Sequence, residues 1–190
     1  MFKYIKVIDI LICLQALIIS TMLPVYISVP SNFNNLKIID LPITWQVPTI
    51  ILLSLIYRRE VVFIAFIIYI FLGLFFLPIF HQGGSLGYLL TPNFGYLIGM
   101  YPLIVIINNL KKFNLEIKIF SFFKNGIFGI LMMHLVGMTY GSFQILYLRE
   151  FNTLLYNFSK YSLSKIGFHI LMLIPISLIL KQINYLKNQE

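Results

Sequence analysis

Residues 61–110 read VVFIAFIIYIFLGLFFLPIFHQGGSLGYLLTPNFGYLIGMYPLIVIINNL, fifty positions without one Lys, Arg, Asp or Glu. A water-soluble domain does not leave such a length uncharged, because about a quarter of its residues carry charge and its surface faces water. Two apolar runs flank a connector, Phe80 to Asn93, that is polar only through Gly, Ser, Thr, Asn, Gln and His. Irregular backbone near membrane depth is tolerated where protein or a water-filled cavity satisfies its polar groups. The connector is therefore expected to fold back onto the protein and to border a binding site.

The rest of the chain agrees. Apolar residues make up 59% and charged residues 11% of the 190 positions, against about 45–50% and about 25% in soluble proteins. This is the composition of an integral membrane protein. Runs of the length needed to cross a bilayer fall near Val7–Ser28, Ile43–Tyr57, Val61–Phe80, Phe94–Leu110, Ile127–Leu148 and Leu163–Leu180. Their lengths and lack of period-2 alternation predict helices, so the expected fold is an all-α, six-transmembrane-helix bundle. Only Arg58-Arg59-Glu60 separates the second run from the third, which makes them a tight antiparallel hairpin.

Charge orients the bundle. With the N-terminus inside, the cytoplasmic segments hold Lys3, Lys6, Arg58, Arg59, Lys111, Lys112, Lys118, Lys124, Lys181 and Lys187, and the other side holds Lys37, Arg149, Lys160 and Lys165. This bias follows the positive-inside rule and puts both termini in the cytoplasm of a cell that carries the protein as a multi-pass component of its cytoplasmic membrane. The net charge of +8 is then a topology signal scattered over separate loops, and no nucleic-acid partner is expected. The N-terminal run resembles a signal peptide, but Asp9 and Gln15 interrupt it and no A-x-A site closes it, so it is expected to be a retained first helix. No repeat or linker is visible, and residues 1–190 are expected to form one integral-membrane domain in contact with lipid.

Enzyme signatures are absent. There is no P-loop, no H-E-x-x-H and no G-x-S-x-G elbow. Cys13 is the single cysteine, which excludes an internal disulfide and a cysteine metal site. His81, His134 and His169 lie on different elements with no second ligand at metal spacing, and are expected to be hydrogen-bonded structural residues rather than metal ligands. Neither catalytic residues, nor a metal, nor a cofactor is expected. Six helices without a repeat are few for a two-repeat transporter. A solute-capturing bundle of this size would draw its energy from partner proteins.

Candidate ligand contacts collect on the non-cytoplasmic side. Trp45, beside Thr44 and Gln46, opens the second helix; it could wall a pocket or anchor the helix at headgroup level. Gln82-Gly83-Gly84 offers an amide and exposed backbone N–H groups, or is simply a turn. Lys165 lies just inside the last apolar run, where an ionisable side chain faces the bundle interior or snorkels outward. Gly95-x-x-x-Gly99 and Gly137-x-x-x-Gly141 permit close helix approach, and Ala16-x-x-x-Ser20 makes a further small-residue surface suited to a partner subunit.

Tyr69-Ile70-Phe71-Leu72-Gly73-Leu74-Phe75-Phe76-Leu77-Pro78-Ile79-Phe80, followed by Gly83-Gly84 and by Pro92-Asn93-Phe94-Gly95-Tyr96-Leu97-Ile98-Gly99, resembles the BioY family. These are the biotin-binding S components of energy-coupling factor transporters. Thr44 and Gln46 likewise match the family's V-P-x-T-x-Q run. The resemblance is good from about Leu41 to Leu110 and looser beyond. Where the family opens its last helix with P-G-D-x-x-K, this chain has Lys165 at the lysine and Ser162 at the aspartate. The resemblance implies an S component that takes biotin from the outer side, with contacts from Gln82, Gly83, Gly84, Ser162 and Lys165. It also implies a transmembrane coupling subunit and ATP-binding cassette ATPases as partners, docked in part through Ala16 and Ser20. An S component for a different vitamin, a small membrane enzyme and an assembly factor are the alternatives.

Overall fold

A computed structural model describes residues 7–32, 35–81, 83–113, 117–148 and 154–187. Among them are eight α-helical segments: α1 (Val7–Met22), α2 (Gln46–Ile56), α3 (Arg59–Phe75), α4 (Pro92–Phe113), α5 (Ile119–Leu148), α6 (Leu154–Phe158), α7 (Ser164–Leu171) and α8 (Leu173–Lys187). Three helical stretches, Pro92–Lys111, Ile119–Tyr147 and Leu155–Gln182, are long and apolar enough to cross a membrane. Large apolar side chains point outward throughout, Phe120, Phe143 and Tyr147 among the most exposed. A surface of that kind suits lipid rather than water.

The first run departs from the expected single helix over Val7–Ser28. α1 stops at Met22, and Pro24–Asn32 (β1) pairs antiparallel with Asn35–Thr44 (β2). Pro24 explains the stop. It has no N–H for a helical hydrogen bond and disfavours helical geometry at the residue before it. The hairpin is closed at its base where the Trp45 N–H donates to the Leu23 carbonyl at 3.0 Å. Val25, Leu41 and Ile43 form its buried face, packed against Phe168 and Met172. The second run is shorter than expected, since β2 extends to Thr44. α2 is buried nearly all round, from Gln46 and Val47 to Leu53, Ser54 and Leu55, as befits the central rod of a bundle.

α4 and α5 form the closest helix pair. A Cβ on Gly99 would lie 2.4 Å from the Met133 carbonyl oxygen, and one on Gly137 would lie 2.3 Å from the Tyr96 ring. The small residues therefore set the helix separation within the chain. These contacts run in opposite directions along the two helices. The ends of α1, α3 and α5 thus share one end of the bundle with the starts of α2 and α4, the hairpin and the 76–91 connector.

The last run starts earlier than Leu163 and is irregular. α6 leads into a π turn, Ser159–Leu163, then α7, and the helix is interrupted at Met172 before α8. Pro175 lacks the N–H that would bond back to Leu171, which accounts for that break.

Candidate functional site

A cavity of about 570 Å³ opens at the hairpin end of the bundle, within the range of small-molecule sites. Asp40 to Thr44 of β2 form one wall, and Gln46 and Val47 of α2 continue it. Phe80, His81 and Tyr88 of the connector face it, with Tyr96 and Met100 of α4 and Met133 and His134 of α5 deeper. Lys160, Tyr161, Lys165 and His169 complete it from the last helical run.

The connector is pinned rather than loose. The Ser85 N–H donates to the Gly73 carbonyl at 3.0 Å, and Gly83 N–H to Phe80 at 3.0 Å. A Cβ on Gly84 would lie 2.7 Å from the carbonyl oxygens of Gly73 and Leu77, so only glycine fits there. Gly83 and Ser85 take φ of 130° and 128°, which glycine accepts freely and serine does not. The fold-back places Phe80 against Tyr69 at 5.3 Å and against Tyr88 at 4.6 Å between ring centroids. Burial, with the Tyr161 phenol nearby, pushes Tyr88 up to about 12, so it meets the cavity as a neutral hydroxyl. Partial burial, and then the Lys165 charge, hold the His81 imidazole below its usual value.

Tyr69 is a buried hub. Gln46 Nε2 donates to its hydroxyl at 3.2 Å, and Thr21 Oγ1 lies 2.9 Å away. Thr21 donates to the Leu17 carbonyl at 2.7 Å, and the single Tyr69 hydroxyl proton is shared between Thr21 Oγ1 and the Ile79 carbonyl, the latter at 3.4 Å. This ties α1, α2 and α3 together and fixes Gln46 at the cavity wall.

The last helical run brings two cations to the site. Lys165 Nζ lies 5.6 Å and Lys160 Nζ 5.4 Å from the Tyr161 ring centroid. Among the described residues the single ion pair is Arg58–Glu60 at 3.6 Å, so neither ammonium is neutralised by a carboxylate there. Beside them runs a buried hydrogen-bonded chain. Tyr96 Oη lies 2.6 Å from Ser162 Oγ, Ser162 Oγ lies 3.2 Å from His134 Nδ1, and His134 Nε2 lies 3.0 Å from His169 Nδ1.

The residues singled out from sequence separate accordingly. Lys165 lines the cavity. Ser162 is fully buried one layer behind it, with its hydroxyl committed to Tyr96 and His134. Gly83 and Gly84 shape the connector while their neighbours Phe80 and His81 reach the cavity. Trp45 is 40% exposed and is not among the lining residues. Gln82 lies outside the described residues. Ser20 is buried with its hydroxyl on the Leu17 carbonyl at 3.0 Å, and Ala16 packs half-buried against the core. Among the described residues no three His, Cys, Asp or Glu side chains converge as metal ligands.

Asp40, Tyr69, Tyr96, His134 and His169 line the cavity without having been singled out as contacts. Ser162, Lys165 and His169 follow a three- and four-residue spacing that puts them on one helix face, and His134 is an ionisable group inside an apolar span. Those two signals were in the sequence. Asp40 was not findable without the hairpin.

Residues 3–186 match the BioY family. The fold is similar to the crystal structure of the S-component for biotin from an ECF-type ABC transporter, at a TM-score of 0.63 and 21% identity over 95% of each chain. No curated protein matches the chain.

Proposed function

Since the chain belongs to the BioY family, we propose that it is the substrate-binding component of an energy-coupling factor importer and that its ligand is biotin. In this reading α1 to α5 and the α6–α8 run make six crossings of the cytoplasmic membrane. Both termini lie inside and the hairpin end lies outside. Arg58, Arg59, Lys111, Lys118 and Lys181 all fall at the opposite end from the cavity, which supports the orientation. The Lys111 ammonium donates to the Tyr57 carbonyl there.

One observation carries the reading. Lys165 and Lys160 stand in the wall of an aromatic cavity, and no carboxylate among the described residues, Asp40 of the same cavity included, lies within ion-pair distance of either. That arrangement suits a ligand with an anionic tail and a compact ring system. Biotin's valerate carboxylate would meet Lys165, its bicyclic ring would lie among Phe80, Tyr88 and Tyr96, and Gln46 and Ser162 would support the polar end. Gln82-Gly83-Gly84 would position the connector over the bound vitamin. The chain has no nucleotide motif, so release inward requires a transmembrane coupling subunit and ATPases, contacted through α1 around Ala16 and Ser20.

The test is a panel of vitamins against the purified protein in lipid nanodiscs, read by thermal shift, together with labelled biotin uptake by cells co-expressing the coupling subunit and ATPases. Biotin alone should raise the melting temperature, and uptake should need all subunits. A shift with another vitamin and none with biotin would reassign the ligand. Uptake that needs no ATPase would overturn the transport mechanism.

A further inference from the structure

The hydrogen-bonded chain Tyr96–Ser162–His134–His169 is built from three separate helical segments, and its last three members are at most 6% exposed. Four linked polar groups in the apolar interior of a membrane bundle are costly unless fully paired. Helix packing alone does not require them. Both ends, Tyr96 and His169, line the cavity, as does His134. His169 Nε2 carries no hydrogen bond among the described residues, its Nδ1 being spent on His134.

With both imidazoles neutral, each has one N–H and one lone pair, and the Ser162 hydroxyl has no acceptor other than Tyr96 and His134 among the described residues, so a fully paired chain runs in one direction at a time. If Tyr96 donates to Ser162 and Ser162 to His134 Nδ1, then His134 Nε2–H donates to His169 Nδ1. His169 then offers an N–H at Nε2, and the Tyr96 oxygen is left as an acceptor. If the direction reverses, His169 Nε2 offers a lone pair and Tyr96 offers its proton. In either state the cavity meets one donor and one acceptor, and a ligand can select the direction that suits it.

We propose that this chain is the recognition element for a neutral ligand group bearing both a donor and an acceptor, such as a cyclic urea or lactam, with His169 and Tyr96 in contact and Ser162 and His134 as positioning residues. The inference rests on the biotin reading and deepens it, because biotin's head is a cyclic urea. A guanidinium in the same place has only donors. It would face a donor at one end of the chain in either direction. The site therefore discriminates against the cationic form of such a ligand.

Titration calorimetry on the full chain in nanodiscs, with biotin and with the analogue whose ureido oxygen is replaced by an imino nitrogen, tests this at pH 7. The unaltered protein should prefer biotin by about tenfold or more, since a site built to hydrogen-bond a group rejects a mismatched one. His169→Ala should weaken biotin by about tenfold or more and leave the analogue nearly unchanged, so the preference collapses. Ser162→Ala removes one hydroxyl and little volume, so it keeps the test open if a histidine variant fails to fold; it should lower the preference while Tyr96 and His169 remain. Ser162→Asp should shift the preference toward the analogue by supplying an acceptor-only charge. An unchanged biotin-to-analogue ratio in His169→Ala and Ser162→Ala would overturn the relay while leaving biotin binding intact. Equal weakening of both ligands would also overturn it. No binding of biotin by the unaltered protein would overturn the parent reading and the relay's ligand with it.

Discussion

Replacing Lys165 by alanine isolates the electrostatic half of ligand capture. Its ammonium sits in the cavity wall 5.6 Å from the Tyr161 ring centroid, with no carboxylate partner among the described residues. Removing it therefore breaks no internal ion pair there, and the change in affinity reports on the ligand. A hydrogen bond between charged partners contributes about 1.5–3 kcal/mol. Lys160 lies over the same ring at 5.4 Å and can partly replace the lost charge, which favours the lower end. At about 1.4 kcal/mol per decade, the expected loss is about tenfold. Titration calorimetry in nanodiscs should be run with biotin and with its methyl ester, which lacks the charge. The ester should bind the unaltered protein about as weakly as biotin binds Lys165→Ala, and the variant should not distinguish the two. Equal affinity of the unaltered protein for acid and ester would refute the reasoning.

Other perturbations separate the scaffold from the site. Tyr69→Phe removes the hydroxyl shared by Gln46 and Thr21 and should cost about 1–3 kcal/mol of stability, seen as a lower melting temperature. Gly99→Ala drives a Cβ into the Met133 backbone, whereas at Gly129 the obstacle is the flexible Leu103 Cδ1 at 2.6 Å. Thermal unfolding should therefore show a loss of about 1–3 kcal/mol for the first and a distinctly smaller one for Gly129→Ala. His81 is held below its usual value in the folded protein, so the unfolded chain takes up that proton first as pH falls through about 6.5. Its contribution is absent above that pH and destabilising from there down past the lowered folded value. Melting temperatures at pH 7.5 and 5 should show a shallower acid loss for His81→Gln, and equal slopes would contradict the shift.

The membrane class was plain from the uncharged 61–110 stretch, because burial in lipid leaves its mark on composition. That α4 and α5 each permit close helix approach was legible too, since glycines at four-residue spacing lie on one helix face, but that they pack on each other was not. The hairpin was not legible. Its first strand follows α1 almost directly, so the hydropathy of Val25 to Ser28 looks like more helix, and Pro24 marks the change. Missing it hid Asp40. Lys165 stood out because a charge in an apolar run is rare, whereas Ser162 looked like a plain contact. The π turn turns Ser162 inward to Tyr96 and His134, and the pairing of His134 with His169 depends on two helices meeting, a fact no single stretch contains.

The central claim is capture of biotin by this chain alone, and equilibrium dialysis with radiolabelled biotin measures it directly. Purified protein in nanodiscs, with no ATP and no partner subunits, should bind one biotin per chain, displaced by excess unlabelled biotin and not by other vitamins. Absence of saturable binding under those conditions would contradict the account.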